Sequence, residues 1–137
     1  MQPDRRLDSD LSLAHALLRV GLGINLFMHG FSRIPNLAAF VEHTQSVFAK
    51  TWLPGPMVTL TAYSIPFIEL LLGAVLILGF LLRPALVTGF LFMFMLTFGI
   101  CVAQNWSVAS EQLIYMIILG LLLASARYHR FGLTNRD

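Results

Sequence analysis

The sequence predicts an all-α protein, a four-helix bundle whose helices cross a membrane, and three observations carry that prediction. Of its 137 residues, 57% are hydrophobic and only 12% are charged, where a soluble domain carries about 25% charged residues. The mean hydropathy is +0.75, and a chain this short cannot hide that much apolar surface from water in one core. The apolar residues also fall into four continuous runs, near residues 11–30, 57–82, 84–103 and 111–127. Each run is close to the ~20 residues that cross ~30 Å of hydrocarbon as a helix. Runs that are continuous, not alternating, exclude a transmembrane β-barrel. Residues 1–137 read as one integral membrane domain.

The first span starts after Asp10, a good N-cap residue. It has no small-residue cleavage site and carries Arg19, Asn25 and His29 in or beside its apolar run, so it does not read as a signal peptide. At about 100° per residue, His15, Arg19, Asn25, His29 and Arg33 share an arc of ~120°. Leu13, Leu17, Val20, Ile24, Phe27 and Met28 fall on the other side. One face should meet acyl chains and the other protein.

In the segment from Arg33 to Pro56, the residues Leu37, Phe40, Val41, Val47 and Phe48 recur at helical spacing and predict a short interfacial helix. Pro54, Gly55 and Pro56 mark the start of the second span. That span holds a single charge, Glu69, on the same face as Pro66 and Gly73, which suits close helix approach. Pro84 fits the first turn of the third span, which carries a weak polar stripe of Thr97, Cys101 and Gln104. Ser110 precedes the fourth span as a cap, and Trp52 and Trp106 fall at expected membrane edges.

Charge placement sets the expected orientation. Arg5, Arg6, Arg83, Arg127, Arg130 and Arg136 fall on one side, Arg33 and Lys50 on the other. The positive-inside rule then places both termini in the cytoplasm. The net charge is only +2 and no basic patch accompanies it, which excludes a nucleic-acid partner. The single cysteine, Cys101, excludes an internal disulfide and a thiolate metal site. His15 and His29 lie at opposite ends of one span, so they do not form a bis-histidine haem site, and no flavin or metal ligand set is evident.

Depth sorts the remaining polar residues. Arg19 lies about 12 Å from one boundary and Glu69 about 18 Å from the other, at 1.5 Å per residue. In a ~30 Å core these are one level, so the sequence predicts an Arg19–Glu69 pair at mid-membrane. Such a pair either fixes helix register or serves as a proton relay or ligand anchor. A second level, at the outer boundary, gathers His29, Arg33, Gln104, Asn105, Glu111 and Gln112. The candidate catalytic residues are therefore His29, Glu69 and Glu111, which can exchange protons. The candidate ligand-binding residues are Arg19, Arg33, Gln104 and Asn105. Taken singly, each also has an ordinary role: Glu111, for example, is favoured by the helix dipole alone.

Several short motifs occur in a telling order. Leu18-Arg19-Val20-Gly21-Leu22-Gly23 is followed by His29-Gly30-Phe31-Ser32-Arg33, then Pro66-Phe67-Ile68-Glu69, Gly79-Phe80-Leu81-Leu82-Arg83-Pro84 and Gly132-Leu133-Thr134. In this order they resemble the DoxX family of small four-span bacterial membrane proteins, over about residues 15 to 135. Arg33 stands where the family usually has Lys, and the tail ends Asn135-Arg136-Asp137 where Ser-x-Asp is common. The resemblance implies a multi-pass protein of the bacterial cytoplasmic (inner) membrane. Its relatives include a subunit of a thiosulfate:quinone oxidoreductase.

Three functions are expected from the residues and the resemblance together. The first is a quinone-interacting subunit of a redox system, with quinone as cofactor and electrons supplied by a partner protein or bound reductant. The second is a non-catalytic scaffold or anchor subunit. The third is a small transporter or channel, which four short spans without an internal repeat would form only as a homo-oligomer.

Overall fold

The computed structural model describes residues 5–133. The tail motif beyond Leu133, and Arg136 of the charge count, lie outside the described residues. Helix α1 spans Arg5–Arg33, α2 Leu37–Phe48, α3 Gly55–Leu78, α4 Leu82–Val102 and α5 Trp106–Ala124. Short 3-10 turns cover Ile34–Asn36 and Ala126–Tyr128, and no strand is present among the described residues.

Helix α1 begins before Asp10, because nothing between Arg5 and Pro35 breaks it and Asp8 complements the dipole of its first turn. Pro35, in the turn Ile34–Asn36, ends it. The chain then resumes as α2, whose Val41 is buried while Glu42, His43, Gln45 and Ser46 are exposed. Only residues 49–54 join α2 to α3, so the two run antiparallel. A hydrogen bond of 2.7 Å from Gln45 Nε2 to Thr59 Oγ1 ties them. Helices α1 and α2 are thus two legs of a bent rod along α3, with α1 on its C-terminal half and α2 on its N-terminal half.

The α1–α3 contact is set by small residues. A Cβ on Gly23 would lie 3.0 Å from the Gly73 carbonyl oxygen, and one on Gly73 would lie 2.7 Å from the Gly23 carbonyl oxygen. A Cβ on Gly30 would meet the backbone of Pro66 and lie 2.6 Å from the amide nitrogen of Leu70. The two backbones therefore touch, as small residues permit between helices in lipid. The face of Pro66, Glu69 and Gly73 is buried, as the sequence predicts.

This register overturns the Arg19–Glu69 pair. With Gly23 on Gly73 and Gly30 on Pro66, Arg19 falls beside Leu76 and Ile77, about 10 Å along α3 from Glu69 at 1.5 Å per residue. The expected pair requires Leu11 to mark a membrane boundary. In fact α1 continues below it, and the bend at Pro35 leaves only half of α3 facing α1.

Asn105 caps α5, its Oδ1 accepting from the Val108 N–H at 3.4 Å. Ser110 is not the cap: its hydroxyl donates back to the Trp106 carbonyl at 2.9 Å. The core joins all four long helices through Leu26, Leu76, Leu86, Leu119 and Leu122. Outside it, Leu17, Leu60, Leu71, Leu91 and Ile117 are exposed. The surface is apolar around the whole bundle, and four helices are long and apolar enough to cross a membrane. This is a multi-pass membrane protein.

Candidate functional site

At the end of the bundle bearing the α2–α3 loop and the α4–α5 turn, the helices part around a cavity of about 400 Å³. The bent rod makes it possible. Helix α2 leans along α3 while α4 and α5 close the other side, and Trp52 of the loop meets Phe98 of α4 edge-on, ring centroids 6.4 Å apart. The walls are apolar: Phe40 and Phe48 from α2, Val58 and Ile65 from α3, Met93 and Leu96 from α4.

The floor is polar. Arg33 Nη1 donates to both carboxylate oxygens of Glu69, at 2.7 and 2.6 Å. Glu69 is nearly buried, its side chain 6% exposed, while that of Arg33 is 31% exposed. The guanidinium carbon lies 4.8 Å from the centre of the Phe40 ring, a cation–π contact that holds Arg33 against α2. A carboxylate alone at this depth of an apolar bundle would be costly, and the guanidinium offsets that cost. Because Nη1 makes both bonds to Glu69, Nε and Nη2 of Arg33 remain directed elsewhere.

Around this pair stand other polar groups. The Tyr115 hydroxyl donates to Asn25 Oδ1 at 2.7 Å, joining α5 to α1. His29 Nδ1 donates to the Asn25 carbonyl at 2.8 Å, which leaves its Nε2 as an acceptor. Gln112 lines the cavity, and its Oε1 is buried with no hydrogen-bond partner.

The cavity brings together His29, Arg33, Glu69, Asn105 and Glu111 from the sequence-predicted set. Two predicted ligand-binding residues lie elsewhere. Gln104 is exposed in the α4–α5 turn, where its φ of 56° reverses the chain. Arg19 lies midway along α1, beside the C-terminal end of α3 and away from the cavity. Tyr115 and the α2 residues His43 and Thr44 also line it, although none was a candidate. Tyr115 shares a helix face with Glu111, but an aromatic on an apolar helix reads as core. The α2 residues join only because α2 packs along α3.

Arg19 has a different task. Its Nη1 donates to the carbonyls of Leu76 and of Ile77, the latter at 3.0 Å, and its Nη2 to the Phe131 carbonyl at 2.6 Å. The Val75 carbonyl accepts from the Gly79 and Phe80 amides, and the Leu78 carbonyl accepts from the Leu133 N–H at 3.1 Å. Gly79 takes φ 66°, a turn that glycine makes without a steric penalty. All four terminal carbonyls of α3 are thus satisfied, with a cation at the negative end of the dipole. Nearby, His15 Nδ1 is 2.9 Å from Ser125 Oγ, and the His15 ring meets His129 edge-on at 5.8 Å. This cluster anchors the C-terminal segment to α1 and α3.

A family model described as DoxX matches residues 14–102, more than half of the chain. The chain belongs to the DoxX family. The match holds Arg19, His29, Arg33 and Glu69, and it ends before α5. The α5 wall of the cavity in this DoxX protein, with Glu111, Gln112 and Tyr115, lies beyond the matched residues. No curated protein and no solved structure matches the chain.

Proposed function

We propose that this protein is a membrane subunit of a redox system and holds a quinone in the cavity above Arg33 and Glu69. The observation that carries the proposal is the pairing of apolar walls with a buried ion pair in one cavity. Its volume of about 400 Å³ falls in the range of roughly 300–1,000 Å³ typical of small-molecule pockets, which likewise combine apolar linings with a few fixed polar groups. A quinone is an apolar ring and tail with two carbonyl acceptors. The N–H groups of Arg33 that Glu69 does not engage, with the amides of Asn105 and Gln112, supply donors. Glu69, Glu111 and His29 Nε2 are the groups able to take or pass a proton.

The chain shows no flavin, haem or iron–sulfur ligand pattern, so a partner protein or a bound reductant supplies electrons in this reading. In the proposed orientation both termini are cytoplasmic and the cavity lies toward the outer face of the bacterial inner membrane. The exposed α2 residues Glu42 and Ser46 suit headgroups better than acyl chains. This supports the loop end of α2 reaching the outer interface.

The test is equilibrium binding of a short-chain benzoquinone to the purified protein in lipid nanodiscs. The wild type is compared with Thr61→Phe, which places a ring in the cavity. Saturable binding to the wild type, weakened at least about ten-fold in Thr61→Phe with an unchanged unfolding temperature, is expected. Absence of saturable binding to the wild type contradicts the proposal.

A further inference from the structure

We propose that the cavity opens sideways into the acyl layer between α3 and α4, and that Met57, Met95 and Phe98 form a portal there for the tail of a lipid-borne quinone. The inference rests on the reading of the cavity as a quinone site and adds the route by which the ligand reaches it.

Three side chains belong to the cavity wall and to the outer surface at once. Met57 of α3 and Met95 and Phe98 of α4 line the cavity, and they are 47%, 42% and 59% exposed. The wall between α3 and α4 is therefore one side chain thick at this place. At the opposite end the two helices are held together, where Gly79 turns the chain and Leu76, Leu82 and Leu86 are buried. Toward the α2–α3 loop the cavity separates them. Helix α2 packs along α3, and its Phe48 ring reaches α4, where a Cβ on Gly99 would lie 3.5 Å from it. That ring props the gap.

The portal lies among acyl chains. Helix α4 ends at Val102, so Met95 lies about 10 Å and Phe98 about 6 Å inside that end at 1.5 Å per residue. Trp52, at the expected membrane edge, meets Phe98 edge-on above it. Methionine is unbranched and flexible, so Met57 and Met95 can move aside for a chain without moving a helix. The other exposed part of the lining has different chemistry. His43 of α2 and Glu111 of α5 also line the cavity and are exposed. An alkyl chain laid over them would strip an imidazole and a carboxylate of water. The apolar side therefore takes the tail. A cavity of about 400 Å³ accommodates a ring, and a chain of several isoprene units has to leave it.

A tail that passes from acyl chains into an apolar portal gains little, because lipid is as apolar as the portal. The signature is thus the position of the tail and the tolerance of it, not added affinity. Two benzoquinones with the same ring provide the test in nanodiscs, one without a chain and one with a decyl chain ending in a photoreactive diazirine. Affinities are referred to the concentration of each in the bilayer. Both should bind the wild type, within about three-fold of each other. On illumination the chain should label Met57, Met95 or Phe98, and excess chain-free quinone should suppress that label. Met57→Trp combined with Met95→Trp fills the portal. It should weaken the chain-bearing quinone at least about ten-fold and leave the chain-free one within about two-fold.

A wild type that binds the chain-free quinone and not the chain-bearing one would overturn the portal while leaving the quinone site standing. So would label on His43 or Glu111, which would put the chain between α2 and α5 and needs no variant. A tryptophan pair that affects both ligands equally, or neither, would overturn the role of Met57 and Met95. Failure of both quinones to bind would overturn both this inference and the reading it rests on.

Discussion

Arg33 and Glu69 form an ion pair within the bundle, with Nη1 of the guanidinium 2.7 and 2.6 Å from the two carboxylate oxygens. Arg33 is the last residue of α1, and Glu69 lies in the C-terminal half of α3. The pair therefore marks the level at which α1 gives way to α2 beside α3, and it forms the floor of the cavity.

Removing one partner leaves the other charge unpaired. Glu69→Leu alone should lower stability by about 3 kcal/mol, and Arg33→Leu by less because its side chain is partly exposed. The double variant should recover much of the loss, since apolar replacement of a whole buried pair is often close to neutral. Reversible unfolding in detergent, analysed as a double-mutant cycle, measures the coupling. The same cycle on Arg19→Leu and Glu69→Leu should be additive within about 0.5 kcal/mol, as for distant sites. Strong coupling there would contradict the α1–α3 register.

The glycines of α1 and α3 should differ sharply in their tolerance of alanine. A Cβ at Gly73 would run into the α1 backbone at Phe27 and Gly23, so Gly73→Ala should force the helices apart. At Gly21 nothing lies within 4 Å, and Gly21→Ala should gain up to about 1 kcal/mol from helix propensity. Unfolding temperatures of the two variants, measured side by side, should move in opposite directions.

Arg19 is expected to matter for the C-terminal segment and not for ligand binding. Arg19→Leu strips a cation from the carbonyl end of α3, a favourable interaction worth up to about 2 kcal/mol in partly buried geometries, and releases the Phe131 carbonyl. Hydrogen exchange of the Leu133 amide, which donates to the Leu78 carbonyl, should speed markedly. Benzoquinone affinity should stay within two-fold. A large loss of affinity with unchanged exchange would place Arg19 in the ligand site.

Much of the architecture is legible in the residues themselves. Four apolar runs of bilayer length define the spans, because a continuous run satisfies its backbone groups in lipid as a helix, whereas a barrel strand alternates. The spacing of Phe40, Val41, Val47 and Phe48 announces α2, and Pro66, Glu69 and Gly73 fall on the buried face their periodicity predicts. The vertical register of α1 against α3 is not legible. It depends on which glycines meet, and several choices along Gly21, Gly23 and Gly30 preserve the same helical face. The partners of Arg19 are hidden for a related reason. They are backbone carbonyls, which every residue carries and no side-chain pattern advertises. Of the site, depth groups His29, Arg33, Asn105 and Glu111 at one end of the bundle, but it sets Glu69 a level lower with Arg19 and brings in Gln104, which lies outside the cavity. The contribution of Tyr115 follows only once α5 is placed against α1.

The most direct test of the central claim is where a quinone sits. A photoreactive benzoquinone cross-linked to the protein in nanodiscs, followed by peptide mapping, reports this. The account predicts labelling of cavity residues such as Thr61, Met93 and Tyr115, suppressed by excess unlabelled benzoquinone. Label spread over the outward-facing Leu71, Leu91 and Ile117, and unaffected by competitor, would contradict it.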